Sequence, residues 1–247
     1  MRFGLIPGGS ISLKLPPQQA ANWTYDTEHT ADVNTLVLYH SEDNAANTNV
    51  TDSSGNGYNG TAGHNTDTFT TATGQFNRGF DFVGASRNVT NATAALLTKL
   101  DSAMSGNITI EGYYKSSVAD WSTWGNTYSS FWRLWGDSNN FMGVQWLKGT
   151  NQIAYPYKGT GTIKDPKFTP VVVDTTTYFH VAQTKSTAAD EMKIFFNGVQ
   201  DDVTQSGLNG WTNSAAYVTY GNESNAGAAI YWMGSADEFA ISNKIRY

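Results

Sequence analysis

The carboxylates are the residues of this chain that could support hydrolytic chemistry, because retaining glycoside hydrolysis needs two of them about 5–5.5 Å apart. On a β-strand, such a pair stands at alternate positions, so that both side chains project from one face. None of the predicted strands has a pair of this kind: Asp237 and Glu238 are adjacent, and Glu111 is alone in its predicted strand. We expect the side chains of Asp237 and Glu238 to point to opposite faces. The sequence therefore predicts a protein that is not an enzyme.

Aromatic side chains beside polar residues could bind sugars, because the C–H groups of a pyranose pack on flat rings and its hydroxyls need hydrogen-bonding partners. Residues 120–128 combine three aromatic residues with polar neighbours, and they contain too many turn formers to be a core strand. We interpret Trp121, Trp124 and Tyr128 as candidate carbohydrate contacts. Trp211, in an Asn-Gly-Trp loop, is a second exposed candidate. The alternative is that the first two tryptophans cap the core.

The composition restricts the class of protein further. The chain has 247 residues, which suits a single β-sandwich, and no cysteine, which excludes a disulfide framework, thiol catalysis and cysteine-ligated zinc. Lys and Arg number 15 against 21 Asp and Glu, a net charge of −6, so we expect no nucleic-acid partner. No apolar run approaches the roughly 20 residues of a membrane helix, so we expect no membrane partner either.

The four histidines, His29, His40, His64 and His180, are scattered along the sequence, and no pair has the spacing of metal ligands. We therefore expect no zinc site. His180 lies in a predicted strand, and we interpret it as a buried imidazole that is hydrogen-bonded to the backbone.

Residues 1–22 differ from the rest of the chain, since they hold three of the six prolines and no acidic residue. Ile11, Leu13 and Leu15 alternate with polar residues, which places them on one face of a strand that a Pro-Pro pair ends. This strand either completes the domain's own sheet or anchors the chain by adding to the sheet edge of a partner. An early Pro-Gly-Gly run interrupts the first apolar residues, so we expect no export signal.

From residue 23 onward, short runs of β-branched and aromatic residues alternate with turns rich in Gly and Asn. Asn197-Gly198 between two such runs is a strong hairpin signal, because both residues tolerate positive φ. We interpret residues 131–135 as a strand with both faces covered. A helix is predicted over residues 92–104, with Gly106 as its stop signal. The pattern predicts an all-β fold in which two antiparallel sheets pack together beside a short helix.

Four segments carry a resemblance to a known family. They are residues 36–43 with the Asp-Ser-Ser-Gly-Asn-Gly loop of 52–57, residues 79–84 with 108–114, residues 178–182 with 192–199, and residues 233–242. In this order they resemble the laminin-G-like, concanavalin A-like jelly-roll family, whose members carry Trp where this chain has His40. The resemblance implies a two-sheet antiparallel jelly roll over residues 23–247, preceded by an N-terminal extended arm over residues 1–22. This sandwich hosts lectins, adhesion modules and glycosidases alike, so function has to be argued from sites.

The resemblance also implies candidate metal ligands. Members of the family often hold one Ca²⁺ ion with carboxylates and backbone carbonyls, which suits a cation that takes about 6–8 oxygen ligands. Asp43, Asp52 and Asp237 match the acidic positions of the family, so they are candidate calcium ligands. Asp52 could instead only form a turn, and Asp237 could only make hydrogen bonds at the end of a strand.

The expected location of the protein follows from combining these features. Members of the family are normally extracellular, whereas this chain shows no export signal. A virus particle reconciles the two, because its proteins assemble in the host cytoplasm and reach the outside by lysis. We therefore expect a non-catalytic phage virion protein of the capsid-decoration or tail-fibre type. Its arm would dock on capsid or tail proteins or mediate self-association through Ile11, Leu13 and Leu15, and its jelly roll would bind host cell-surface glycans. The alternatives are a secreted or cell-surface bacterial carbohydrate-binding module and a glycoside hydrolase or lyase.

Overall fold

The structure is a computed structural model, and it describes residues 27–71, 73–83, 87–118, 128–147, 149–150, 152–169, 175–201, 203–208, 210–212, 215–223 and 230–247. In chain order the elements are β1 (Thr35–Tyr39), β2 (Asn49–Val50), β3 (Gly60–Ala62), a 3-10 turn (Thr66–Thr68), β4 (Thr70–Thr71), β5 (Gly79–Asp81), β6 (Val89–Asn91), α1 (Ala94–Met104), β7 (Asn107–Ser116), β8 (Tyr128–Asp137), β9 (Asn140–Leu147), β10 (Gln152–Ala154), β11 (Tyr157–Lys158), β12 (Lys167–Phe168), β13 (Phe179–Ser186), β14 (Glu191–Phe196), β15 (Val199–Gln200), β16 (Gln205–Ser206), β17 (Tyr217–Tyr220), β18 (Asn222–Glu223), β19 (Ile230–Tyr231) and β20 (Gly234–Ser242).

All strands except β18 and β19, which pair with each other, form two large sheets, which we call sheet A and sheet B. In sheet A the strand order is β15-β14-β13-β7-β20-β5-β4, with β1 beside β20 and β16 beside β14. In sheet B the order is β12-β10-β9-β8-β17-β6-β3-β2, with β11 beside β9. The long neighbours pair antiparallel, as β7 does with β13 and β20, and as β8 does with β9. This architecture confirms the predicted all-β, two-sheet antiparallel sandwich with a short helix.

Strand β7 shows how the sequence pattern divides the side chains between core and surface. Ile108, Ile110 and Tyr114 belong to the apolar core between the sheets. Because successive side chains of a strand alternate, Glu111 and Tyr113 lie on the opposite, outer face of sheet A. Residues 27–34 and the last residues of the chain cover part of that outer face, and Glu111 is buried beneath them.

Aromatic rings fill the centre of the core. Phe131 packs edge-on against Tyr114 with ring centroids 4.6 Å apart, and it lies 4.5 Å from the ring of Trp232. All three side chains are fully buried. Burial of each such side chain contributes about 1.5–3 kcal/mol, so this cluster stabilises the packing of the two sheets.

Helix α1 matches the predicted helix and packs at one end of the sandwich. Leu96, Leu100 and Met104 are buried along one side of it. Its last carbonyl, Met104 O, accepts a hydrogen bond of 2.6 Å from the buried Lys185 Nζ. Burial lowers the pKa of Lys185 to about 8. With eleven residues, α1 is too short to cross a bilayer, and no helix in the described ranges is long and apolar enough to do so.

The outer edge of β1 is closed by the loop between β2 and β3. Ser53 N–H donates to Leu38 O at 2.8 Å, and the Asn56 side-chain amide donates to Leu36 O at 3.1 Å. Asp52 Oδ1 accepts from Leu38 N–H at 3.1 Å. These bonds satisfy backbone groups that a further strand would otherwise have to pair.

Candidate functional site

Four side chains form a row across the outer face of sheet B, which we call the aromatic row: Tyr217, Trp135, Phe141 and Lys158. In the strand registers, Trp135 of β8 stands opposite Tyr217 of β17 and Phe141 of β9, and Phe141 stands opposite Lys158 of β11. Residues directly opposite each other in antiparallel strands share one face. The residues beside them in sequence, such as Leu134 and Met142, point into the core, so the row faces outward.

Trp135 is the ring of this row that reaches the surface. It is partly exposed, whereas Phe141 and Tyr217 are buried beside it. Trp135 and Phe141 are nearly parallel, with ring centroids 5.5 Å apart and an interplanar angle of 13°. The guanidinium of Arg133 lies 4.8 Å from the centroid of Trp135 and 4.5 Å from that of Phe141. The arrangement presents a rigid flat ring beside a cation.

Polar groups border the row at the turn between β8 and β9. Lys158 Nζ donates to Ser138 O at 2.9 Å, which holds this second cation at the end of the row. Asp137 Oδ1 accepts from Asn139 N–H at 2.7 Å and from Asn140 Nδ2 at 3.1 Å. A flat ring with charged and polar groups around it can pack against the C–H face of a sugar and hydrogen-bond its hydroxyls.

Sequence reasoning missed this row, because it treated residues 131–135 as covered on both faces. The structure shows that this part of the prediction is wrong for Trp135 and Arg133, which remain partly exposed. A clue was available in the alternation of Arg133 and Trp135 with the apolar Trp132 and Leu134.

The predicted carbohydrate contacts have different outcomes. Tyr128 begins β8 and is 39% exposed, so its ring is accessible. Trp121 and Trp124 lie outside the described residues, as do the arm of residues 1–22 with its apolar stripe and the boundary after residue 22. The prediction that Trp211 is exposed is wrong: it is 8% exposed and belongs to the core.

Trp211 is buried because helix α1 supplies a partner for its polar atom. Its Nε1–H donates to Asp101 Oδ1 at 2.8 Å, and the same oxygen accepts from Ala215 N–H at 2.7 Å. A tryptophan whose indole N–H is satisfied can be buried without cost from an unpaired donor. Trp211 therefore offers no ring for a sugar.

A second candidate site is a cleft around His40, which we call the acidic cleft. It consists of a cavity of about 360 Å³, whose lining includes Glu28, Thr30, Leu38, His40 and Ser53, and a neighbouring cavity of about 230 Å³. The second cavity is lined by His40, Glu42, Asp43, Thr51 and Ser53, so His40 and Ser53 belong to both.

His40 links two carboxylates, that of Glu28 in the lining of the larger cavity and that of the buried Glu238. Its Nδ1 lies 2.7 Å from Glu238 Oε1 and 3.4 Å from Glu28 Oε1. The hydrogen bond with Glu238 raises the pKa of His40 above its usual range, although partial burial opposes the shift. The sequence marks His40 as a replacement for the family's Trp and as one of four scattered histidines without the spacing of metal ligands. Nothing in local spacing connects it to a glutamate 198 positions away.

Glu238 reaches His40 because β20 is irregular at this point. Its φ is +52°, and the pairing with β7 shifts register between Asp237 and Ala240, which marks a β-bulge. The bulge interrupts the alternation of side chains from which the sequence predicted that Asp237 and Glu238 point to opposite faces. Glu238 Oε2 accepts from His29 N–H at 2.9 Å, and this bond fixes the carboxylate in its buried position.

A buried polar network lies beside the cleft, with Glu111 at its centre. His180 Nε2 is 3.4 Å from Glu111 Oε2, Arg246 Nε is 3.7 Å from Glu111 Oε1, and the hydroxyl of Tyr247 donates to the same carboxylate. Burial alone would raise the pKa of Glu111, but the bond with His180 and the nearby His29 hold it below its usual range. His180 is buried as predicted, and its Nε2 lies 3.4 Å from the side chains of Glu111 and Tyr247, where the sequence predicts a hydrogen bond with the backbone.

The three candidate calcium ligands are each held by hydrogen-bond donors of the protein. Asp52 accepts from the backbone N–H groups of Leu38, Ser54 and Tyr58 and so orders its loop. Asp43 accepts from Thr51 N–H at 3.0 Å. Among the described residues, the three carboxylates do not form a group of converging ligand atoms. A calcium site at any one of them stays a prediction.

Asp237 is the most deeply buried of these three carboxylates. Its Oδ2 accepts from Phe76 N–H at 3.0 Å, and burial raises its pKa to about 8. Coordination of Ca²⁺ by Asp237 would have to compete with the bond from Phe76 N–H and with this burial.

Solved structures with the same fold include binding domains of botulinum neurotoxins and of a mosquitocidal protein. The binding domain of Paraclostridial Mosquitocidal Protein 1 matches with 14% identity and a TM-score of 0.65, over 87% of this chain and 50% of that one. The binding domain of botulinum neurotoxin serotype D matches with 15% identity and a TM-score of 0.61, over 85% of this chain and 48% of that one.

A third neighbour is botulinum neurotoxin type C, whose cell entry depends on interaction with two ganglioside molecules. It matches with 15% identity and a TM-score of 0.58, over 85% of this chain and 48% of that one. The chain spans about half the length of these structures, and at such identities the likeness shows the fold alone. No protein-family model matches the chain, and no curated protein matches its sequence.

Proposed function

We propose that this chain is a non-catalytic binding module that recognises carbohydrate through the aromatic row. The observation that carries the proposal is the stacked pair of Trp135 and Phe141 on the outer face of sheet B, between the cations Arg133 and Lys158. The C–H face of a pyranose would pack on Trp135, and the two cations would donate hydrogen bonds to hydroxyl or acidic groups of the sugar. The interaction of the structural neighbour of type C with two ganglioside molecules supports this class of ligand.

The rigidity of the aromatic row favours ligand binding over catalysis. Trp135 and Phe141 belong to strands that are hydrogen-bonded to each other, so little ordering is needed when a ligand arrives. The buried carboxylate Glu111 is engaged with His180 and Tyr247, away from the row, and Glu238 is paired with His40. No carboxylate pair poised for glycoside hydrolysis is evident in the described ranges around the row.

The first prediction is that Trp135→Ala will abolish most of the affinity for a glycan. Wild-type protein is screened against immobilised glycans, and the affinity for a selected glycan is then measured by calorimetry. Truncation of a central aromatic contact typically costs about 2 kcal/mol or more, which is about 30-fold in affinity. The matched control is Tyr128→Ala, which removes an exposed ring at the other end of the same strand and should retain wild-type affinity.

Three outcomes would contradict the proposal. If Tyr128→Ala loses affinity and Trp135→Ala does not, the glycan binds near residues 120–128, as the sequence suggested. If wild-type protein binds no glycan, the row has another role. If the bound glycan is recovered cleaved, the module is catalytic.

We also propose, as the second candidate, that the module belongs to a phage virion and docks through residues 1–22. The closed outer edge of β1 favours this view, because the described sandwich needs no extra strand at that position. The apolar stripe of Ile11, Leu13 and Leu15 would then be free to add to a partner's sheet. A secreted carbohydrate-binding module would not need this stripe.

The second prediction is that a chain beginning at Ala20 will fold normally but will no longer attach to virion proteins. Its melting temperature should fall by less than about 2 °C, which for a domain of this size corresponds to under about 1 kcal/mol. Co-sedimentation with capsid or tail proteins encoded beside its gene measures attachment. An unfolded truncated chain would show that the stripe belongs to the sandwich, and unchanged attachment would rule out docking through the arm.

A further inference from the structure

We propose that His40, Glu238 and Glu28 bind a divalent transition-metal ion, with Zn²⁺ as the best match, at the wall of the acidic cleft. One ligand atom from each residue lies within 4.8 Å of the other two. His40 Nδ1 is central, 2.7 Å from Glu238 Oε1 and 3.4 Å from Glu28 Oε1. In this structure the three side chains meet as an ion-pair cluster that a metal ion would enter by displacing the bridging proton.

The set of donor atoms selects the class of metal. One imidazole nitrogen and two carboxylate oxygens are ligand types that Zn²⁺ and related divalent transition metals accept, and three protein ligands leave a coordination position open. Calcium prefers an all-oxygen shell of about 6–8 ligands, so this site differs from the calcium site that the family resemblance implies. With metal–ligand bonds of about 2.0–2.2 Å, the donors of a tetrahedral site stand roughly 3.3 Å apart. The separation of His40 from Glu28 already has this value, and that from Glu238 needs to open by about half an ångström.

Two of the three ligands are fixed in place before any ion arrives. Glu238 has a side chain only 1% exposed, and its second oxygen is held by His29 N–H at 2.9 Å. His40 directly follows β1, which pairs with β20 next to the bulge at Glu238. Outer partners that orient a ligand in this way strengthen metal binding.

The third ligand closes the site from the solvent side. Glu28 belongs to the segment that crosses the outer face of sheet A, and its side chain is 45% exposed. It can therefore adjust to an ion without disturbing the core. The cavity of about 360 Å³ beside it leaves room for water or a ligand oxygen at the open coordination position.

The experiment is a Zn²⁺ titration of the full, untagged chain after treatment with EDTA, in competition with a chromophoric chelator. We expect one Zn²⁺ ion per chain. His40→Gln should weaken binding by more than the roughly 10–100-fold that is typical of residues that only orient a ligand, and Glu28→Gln should weaken it at least about 10-fold. With Co²⁺ as probe, the visible absorption of a four-coordinate nitrogen and oxygen site should appear in wild-type protein and be lost in His40→Gln.

Two variants serve as matched controls. His64→Gln removes an exposed histidine outside the cluster, and Glu42→Gln removes an exposed carboxylate of the neighbouring cavity. Both should bind Zn²⁺ within about twofold of wild type. Circular dichroism of the metal-free proteins checks that each variant folds. Because the side chain of Glu28 is 45% exposed, we expect Glu28→Gln to fold even if another variant does not.

The proposal fails if wild-type protein takes up no Zn²⁺, or if Glu28→Gln and His40→Gln bind as tightly as wild type. It also fails if the controls lose as much affinity as the cluster variants, since binding would then reflect the acidic surface in general. In either case the cluster is an ion pair that ties residues 27–34 to sheet A. Because the aromatic row lies on sheet B, these outcomes do not depend on whether the module binds glycans.

Discussion

Replacing Glu111 by Gln should lower the free energy of unfolding by about 3 kcal/mol, within the range for breaking a buried ion pair. Glu111 is 1% exposed and is the anionic partner of His180 and Arg246. Gln has the same shape, so the change removes the charge and leaves no cavity. The surrounding donors and cations then lose their compensating charge in a site that water does not reach.

Urea unfolding at pH 7, followed by tryptophan fluorescence, measures the change. Glu191→Gln is the matched control, since Glu191 pairs with Lys193 at 2.6 Å but both side chains are partly exposed. A surface pair of this kind contributes less than about 1 kcal/mol. Equal effects of the two substitutions would show that the network around Glu111 does not stabilise the fold.

The pH dependence of the same variant gives an independent check. The pKa of Glu111 in the folded protein lies below the unfolded value of 4.5. The stability that its charge contributes is therefore fully present above pH 4.5 and is lost as the pH falls through the folded pKa. The difference between wild type and Glu111→Gln should shrink in that acidic window. A constant difference down to low pH would contradict an ionised Glu111.

Replacing Gly221 by Ala is expected to cost about 2–5 kcal/mol of stability, because it combines left-handed backbone strain with overpacking. Gly221 has a φ of +83°, and a Cβ atom there would lie 2.4 Å from two ring carbons of Phe82. Phe82 cannot move aside, because its ring packs against Phe69 at 5.9 Å and Tyr220 at 5.2 Å. The backbone of Gly221 also bonds to Phe131 and Trp232, which fixes the turn.

Gly55→Ala separates the two contributions. Gly55 has nearly the same φ, +86°, but a Cβ atom there would meet no heavy atom within 4 Å. Gly55→Ala should lower the free energy of unfolding only by the conformational contribution, about 1–2 kcal/mol. Thermal and urea unfolding of the two variants give the comparison. If Gly221→Ala is no worse than Gly55→Ala, the core around Phe82 is looser than the structure shows.

Local features of the sequence were enough to predict the fold class. The alternation in β7, the Asn197-Gly198 turn between β14 and β15, and the helix ended near Gly106 all appear in the structure where the pattern placed them. The turn-forming role of Asp52 is similarly local, since its partners Ser54 and Tyr58 lie within six residues. Periodicity and turn chemistry involve neighbours in the chain, so one sequence is sufficient to read them.

The candidate sites depend on contacts between distant segments, which only the tertiary structure decided. Which rings form the aromatic row follows from the register of four strands, and a shift of one residue would bury Trp135 and expose Leu134. Trp211 is buried because Asp101 lies within hydrogen-bonding distance, 110 residues earlier. His40 meets Glu238 across 198 residues, through a bulge that alternation does not predict. The sequence determined which side chains each strand carries, and the pairing of strands determined which of them meet.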